Sequence, residues 1–323
     1  MPVMHTLITG INGFAGGYLA EHLLATQTAQ VTGISRTSTL RLPSLHGRVV
    51  AYQADLCDAE QTRTVIHSVA PDVIVHLAGQ TFVPESFRDP ATTLQTNILA
   101  TLHIIQAMLT LGKPCRLLIT GSNEEYGMIT PTDLPLTEAT PLRPASPYGV
   151  SKAAQTLLGL QYYWSHALDV VIVRPFNHIG PRQTDRFVTG AFAHQIARIE
   201  RGLQEPVLKV GNLEGQRDFT DVRDMVAAYA LAITHAPAGA TYNLGSGQPR
   251  SIRSLLDLLA AASTASFAIE PDPERMRPVN IPVVVCDATA FRTLTGWQPQ
   301  IPIGQTMHDI LEDWRERVAS EPV

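Results

Sequence analysis

The chain has 323 residues, 45% hydrophobic and 16% charged, with a formal net charge of −5. That length carries about two domains or one large α/β unit, and the composition supplies a sizeable core and excludes long disorder. A negative balance without any Lys/Arg-rich run excludes a general nucleic-acid surface. Three scattered cysteines, Cys57, Cys115 and Cys286, with no Cys-x-x-Cys, speak against a disulfide framework or a metal site and suit a reducing compartment. The apolar run at residues 3–9 is too short for a signal peptide or a membrane span, so the sequence reads as a cytoplasmic protein with no membrane partner.

Val3–Thr9 reads as a buried strand, followed by Gly10-Ile11-Asn12-Gly13-Phe14-Ala15-Gly16 and a helix over Gly17–Ala25. Strand, glycine turn and helix are the context of a dinucleotide loop. Gly10 permits the tight turn, Gly13 lets the backbone approach a pyrophosphate, and Gly16 lets helix and strand pack closely. Phe14 and Ala15 join this cofactor set. The pyrophosphate meets the helix N-terminus, whose free N–H groups and dipole favour an anion. Val31–Ile34 reads as the second strand. An NAD site places a carboxylate about 20 residues past the glycines, but no Asp or Glu occurs between Glu21 and Asp55, and Ser35-Arg36 stands there with Arg41 beyond. A guanidinium suits a 2′-phosphate, which favours NADP(H) over NAD(H); the alternative is that Arg36 only stacks on adenine and both cofactors bind.

Arg48–Tyr52 is a third strand, ending near Asp55-Leu56, where Asp55 either accepts from the adenine amino group or caps a helix over Ala59–Val69. Asp72–Leu77 is a fourth strand. Leu77, Ala78 and Gly79 at its end let a cofactor pass close to the backbone, with Gln80 on the substrate side. Thr93–Leu111 reads as one long helix containing Asn97, either a surface residue or a brace for the helix that carries the chemistry. Arg116–Thr120 is a fifth strand, and residues 121–127 form the loop beyond it. Residues 131–147, rich in Pro, Thr and Ser, read as a loop over the site.

Ser146-Pro147 then looks like a helix start. Tyr148 and Lys152 follow, four residues apart, on one face of that helix. A phenol titrates at about 10, and an ammonium beside it is expected to lower that value towards neutrality. With Ser122 at the end of the fifth strand to hold a carbonyl, Ser122, Tyr148 and Lys152 make a proton-transfer set that needs no metal. By itself a Tyr-x-x-x-Lys pair is usually a packed ring beside a solvated charge; the glycine loop upstream changes its meaning. Val170–Val173 is a sixth strand, and the alternation up to about residue 175 predicts a doubly wound parallel sheet with ligands at the carboxyl ends of its strands.

After residue 175 the texture changes. Arg174–Arg182 is polar and loop-like. Helices are expected over Phe187–Arg201, Arg223–Thr234, Ser251–Ala262 and Ile303–Val318, and short strands over Pro206–Gly211 and Arg217–Val222. This predicts a cofactor domain at 1–175, with returning segments near 213–240 and 283–292, and a smaller α+β substrate-binding domain over most of 176–323. Lys209, Arg217 and Arg277 are either surface charges or a shared site for a diphosphate.

Several stretches carry a family resemblance: the glycine loop, GSNEEYG at 121–127, PYGVSKA at 147–153, RPFNHIGPRQ at 174–183, VGNLEGQRDFTDVRD at 210–224 and TGWQPQIP at 295–302. Together they resemble the extended short-chain dehydrogenase/reductases that act on nucleotide sugars, over nearly the whole chain. The resemblance implies a Rossmann fold, cofactor contacts from Gly10, Gly13 and Gly16, and catalysis by Ser122, Tyr148 and Lys152. It implies a diphosphate contact from Asn177 and phosphate or ribose contacts from Arg217 and Arg277. Within the family the likeness is strongest to reductases that convert GDP-4-keto-6-deoxy-D-mannose to GDP-D-rhamnose, often as homodimers through the helices at 93–111 and 147–164. The rival is a 4,6-dehydratase of GDP-mannose, a lyase. Dehydratases usually place Thr where Ser122 stands; Asn123 occupies the position of an Asp in related dehydratases, whereas Glu124 keeps their base. Residues 35–47 are also too short for the Arg/Ser-rich loop of the GDP-mannose dehydratases. Phe187, Val188, Lys209 and Asn212 are the candidates for the guanine.

Overall fold

A computed structural model of the protein describes residues 4–26, 29–37, 39–275 and 281–321. Its strands are β1 (Met4–Thr9), β2 (Ala29–Ser35), β3 (Val50–Gln53), β4 (Val73–His76), β5 (Arg116–Thr120), β6 (Val170–Pro175), β7 (Asn177–Ile179), β8 (Val207–Val210), β9 (Gln216–Asp221), β10 (Thr241–Leu244), β11 (Pro249–Ser251), β12 (Ala268–Pro271) and β13 (Val283–Val284). Its α-helices are α1 (Phe14–Ala25), α2 (Ala59–Val69), α3 (Val83–Arg88), α4 (Pro90–Leu94), α5 (Ala100–Leu109), α6 (Pro147–His166), α7 (Val188–Glu200), α8 (Val222–His235), α9 (Ile252–Ala262), α10 (Thr289–Thr295) and α11 (Ile303–Ala319).

Seven strands form one parallel sheet in the order β10-β6-β5-β4-β1-β2-β3. The reversal beside β1 is the switch point of a doubly wound fold, where ligands enter at the strands' carboxyl ends. Central strands covered on both faces need continuous apolar runs, and Leu117–Ile119 and Val170–Val173 are fully buried. One apolar cluster joins the sheet to α1, α8 and α10; the other joins it to α2, α5 and α6. A third cluster packs α7, α9 and α11 against β8 and β9. There, β9 pairs in parallel with β7 and β13 and antiparallel with β11, while β8 pairs with β12. The returning segment differs from expectation. Residues 216–221 belong to the second sheet, and the return to the first runs from α8 through the unforeseen edge strand β10. Among the described residues no helix is long and apolar enough to cross a membrane.

Candidate active site

Helix α6 starts where the sequence places it. The Ser146 side chain accepts from Gly149 N at 3.0 Å, and Pro147 takes the first turn, where a missing N–H costs nothing. This cap lays the start of α6 over the end of β5. Tyr148 and Lys152 are both buried. The Lys152 ammonium donates to the Thr120 carbonyl at 2.8 Å and lies 5.9 Å from the Tyr148 ring centroid. The Ser122 hydroxyl accepts from Glu124 N at 3.2 Å and lies close enough to the Tyr148 phenol to favour its ionised form.

The electrostatics correct one expectation. The Tyr148 phenol is pushed up, not down. Burial dominates, Glu124 and Glu125 add to it, and only Ser122 opposes. The neighbouring lysine does not reverse this, because its ammonium is turned to a carbonyl and is itself disfavoured by burial, which brings Lys152 down to about 8. Beneath it, His76 is clasped between Thr9 Oγ1 (2.8 Å) and Thr101 Oγ1 (3.0 Å), and burial brings it down to about 3.

The long helix expected at 93–111 is three pieces: α4, a wide π-helical turn at Gln95–Leu99, and α5. Such turns insert an extra residue and redirect a side chain. Here the side chain is Asn97, fully buried, with Oδ1 accepting from Gln80 N (2.8 Å) and Nδ2 donating to Gln80 O (3.0 Å) and Ser151 Oγ (2.8 Å). It thus ties the β4 loop to α6. Gly79 is needed beside it, since a Cβ there would lie 2.8 Å from Asn97 Oδ1. Gln80 was expected to face the substrate. Instead its amide folds back onto Phe82 N (2.5 Å), Phe82 O (3.1 Å) and Thr93 Oγ1 (3.0 Å), so its polar atoms are spent on shaping the loop.

The glycine loop is a cradle that side chains would fill. Gly10 has φ +72°, and a Cβ there would meet Ala78 N and Cα at 2.9 Å; one on Gly16 would meet Gly10 O at 2.3 Å. Helix α1 begins at Phe14, three residues before its expected start, with no side chain capping Gly13. The first-turn amides of Phe14 and Ala15 are therefore offered to an anion, and the donor set fits a dinucleotide pyrophosphate. The Phe14 ring lies parallel to His178 at 6.0 Å, joining the loop to the second lobe. Arg36 is exposed at the end of β2. Of the two readings of Asp55, the cap falls away: Asp58 caps α2 through Glu60 N and Gln61 N, while Asp55 accepts from Cys57 N at 2.9 Å. Leu56 is buried; Leu77 and Ala78 are half-buried beside Gly10.

In the second lobe Asn177 pairs with Phe219 across β7 and β9, and Val188 opens α7. Arg186 covers the Phe82 ring at 4.4 Å and meets Glu85 at 3.2 Å, while Phe82 and Phe187 stand edge to face, so the two lobes touch over the cleft. Lys209, a candidate for the substrate, pairs with Glu270 at 2.5 Å with both side chains about half exposed. Arg217 on β9 donates to Gln216 O at 2.8 Å. Arg277 lies outside the described residues.

Sequence reasoning missed the buried frame under Ser122. Asn123 opens a short 3₁₀ turn with Glu124 and Glu125, and Glu125 reaches back. Its Oε1 accepts from Ser122 N (2.9 Å) and Thr156 Oγ1 (3.1 Å), and its Oε2 from Arg174 Nε (2.9 Å). Arg174 continues to the Tyr126 hydroxyl (3.2 Å), which donates to Asn243 Oδ1 (2.6 Å). The available signal was Arg174 itself, since an arginine closing a run of four aliphatic residues requires a buried partner.

The profile of the family described as GDP-mannose 4,6 dehydratase matches residues 7–310. The GDP-6-deoxy-D-mannose reductase of Pseudomonas aeruginosa is 40% identical over 97% of this chain and 98% of its own. A solved structure of RMD from Pseudomonas aeruginosa complexed with NADPH superposes with a TM-score of 0.85 at 37% identity, covering 98% of this chain and all of that one. A GDP-mannose 4,6-dehydratase of Vibrio cholerae is more distant, at 27% identity over 97% of this chain and 94% of its own. The chain belongs to the GDP-mannose 4,6 dehydratase family of nucleotide-sugar enzymes, within the extended short-chain dehydrogenase/reductases.

Proposed function

We propose that the chain is an NADPH-dependent 4-ketoreductase that converts GDP-4-keto-6-deoxy-D-mannose to GDP-D-rhamnose. The observation that carries this is Ser122, Tyr148 and Lys152 gathered, buried, at the carboxyl ends of the sheet beside an uncapped glycine-loop helix. NADPH held by Gly10, Gly13, Phe14, Ala15 and Gly16 supplies the hydride. Tyr148 gives its proton from Oη to the developing C4 alkoxide, and Ser122 donates a hydrogen bond to the same oxygen as charge forms there. Lys152, its ammonium held on the Thr120 carbonyl, would bind the nicotinamide ribose and follow Tyr148 in proton transfer. Asn97 holds α6 at its Ser151 turn so that Tyr148 keeps its position. Asn177, Val188 and Arg217 line the second lobe for the GDP moiety.

The dehydratase reading keeps one favourable observation, the Glu124 carboxylate close enough to Tyr148 to act on its charge. A single assay set decides. Pure protein with the keto sugar and NADPH should consume NADPH and yield GDP-rhamnose, and Tyr148→Phe should lose about 10²–10⁴-fold in turnover. Formation of 4-keto product from GDP-mannose alone would establish the lyase instead. The protein acts as a homodimer through α5 and α6: Val150, Leu157 and Trp164 recur every seven residues along α6 and are exposed, Trp164 at 72%, a stripe that suits burial against a second copy. Its cysteines are free, which fits the cytoplasm.

A further inference from the structure

We propose that Asn12 sets the choice of cofactor, by holding ready the segment that bears Arg36 and Arg41; this rests on the NADPH reading above. Asn12 lies between Gly10 and Gly13 and has no positive φ. Its carboxamide is spent entirely on the chain beyond β2. Nδ2 lies within hydrogen-bond distance of Thr39 O (2.8 Å), Ser35 Oγ (3.0 Å) and Thr37 Oγ1 (3.3 Å), and Oδ1 accepts from Arg41 N (2.9 Å). Ser35 Oγ in turn donates to Thr37 O and accepts from Thr37 N. Below, Leu40 is buried, its carbonyl meets His46 Nε2 at 2.9 Å, and Leu42 packs where a Cβ on Gly17 would lie at 2.4 Å.

One side chain of the pyrophosphate loop thus holds Ser35 and Thr37 on either side of Arg36, and Thr39 and the Arg41 amide further on. Arg36 and Arg41 are exposed, and Arg36 lies near enough to Cys57 to act on its thiol. Residues 22–54 hold no Asp or Glu; the next carboxylate, Asp55, follows β3 and acts with Arg36 on Cys57. The segment leaves β2 next to the glycine loop, where Gly10 N donates to Ile34 O at 2.9 Å, so it borders the adenosine end of a cofactor seated on that loop. Guanidinium forks match a phosphate monoester. A binding loop ordered in advance spares the ligand the ordering cost. Without Asn12 that cost returns, and it falls on the ligand that uses this segment, the one with a 2′-phosphate. The unphosphorylated cofactor, held by the glycine loop, is spared.

Calorimetric titration of the pure protein with NADP⁺, NAD⁺ and 2′,5′-ADP tests this without turnover. The native chain should bind NADP⁺ at least about tenfold more tightly than NAD⁺, and Asn12→Ala should weaken NADP⁺ and 2′,5′-ADP together by about 5–30-fold while NAD⁺ stays within about twofold. Ser35→Ala, which removes one acceptor of the same cluster, should move the ratio in the same direction by less, and serves if Asn12→Ala does not fold. Equal weakening of NADP⁺ and NAD⁺, or an unchanged ratio, overturns the role of Asn12 while the native preference, and the NADPH reading with it, stands. A native protein that does not prefer NADP⁺ overturns both.

Discussion

Glu125→Gln separates the frame under the site from the site itself. Glu125 and Arg174 form an ion pair at 2.9 Å with side-chain exposures of 0% and 6%. The amide keeps an acceptor for Ser122 N and Thr156 Oγ1 but turns an N–H towards Arg174 Nε, leaving a guanidinium buried without its countercharge. Removing one member of a buried pair costs about 3–5 kcal/mol. For a chain of this length, at about 2 °C per kcal/mol, the melting temperature should fall by about 6–10 °C. Replacing both members with apolar residues of similar volume, Glu125→Leu with Arg174→Met, should recover most of that loss, because the pair's own desolvation penalty disappears with it. The double variant should nevertheless stay slow, since Ser122 N has lost the acceptor that aims the serine. Calorimetric melts and kcat against KM for the keto sugar read the two effects apart. If Glu125→Gln melts within about 1 °C of the native chain, or if the double variant melts no higher than the single one, the reasoning fails.

Two further predictions follow from buried titratable groups. Lys152 is brought down to about 8 from 10.5, so the folded state loses stability as pH falls through that window and stays penalised below it. Lys152→Met should therefore melt higher than the native chain at pH 7, by up to about 3 kcal/mol less the lost Thr120 hydrogen bond, while turnover collapses; a lower melt would contradict it. His76 is held neutral with its value down to about 3 from 6.5, which contributes stability present above 6.5 and lost as pH falls towards 3. His76→Gln should flatten that part of the melting-temperature profile between pH 6.5 and 4.5, where an unchanged slope would assign the acid loss to other groups.

The parallel sheet and the start of α6 were legible because both signals are local. Val170–Val173 is apolar throughout, and Ser146-Pro147 caps a helix by its own chemistry. The start of α1 was missed by three residues because the glycine loop was read through Gly16, whereas packing against Gly10 requires glycine there inside the helix. The wide turn at Gln95–Leu99 has no sequence signature, since it exists to bring Asn97 onto Ser151 across 54 residues. Strand β10 is four residues at a sheet edge, set in a stretch otherwise read as part of the second lobe. The Glu125–Arg174 pair joins positions 49 apart, and neither residue announces the other. Gln80, taken for the substrate from its place after β4, hydrogen-bonds Phe82 and Thr93, and Lys209, a candidate for a diphosphate or the guanine, forms an exposed pair with Glu270; short-range partners of this kind have no signature in the sequence.

The direction of the Tyr148 shift bears on its protonation state before reaction. A phenol lowered towards neutrality is poised to take a proton from an alcohol. A phenol raised by burial, with Glu124 and Glu125 adding to it, arrives with its proton in place and gives it up only when a stronger base forms beside it. The alkoxide generated at C4 by hydride addition is such a base, and it forms against Ser122, the one neighbour that favours the phenolate left behind. Lys152, near 8, is still mostly charged at neutral pH and can follow with a proton of its own. The burial that makes Tyr148 a poor acid at rest thus keeps its proton in place until a stronger base, such as the alkoxide of a reduced ketone, forms beside it.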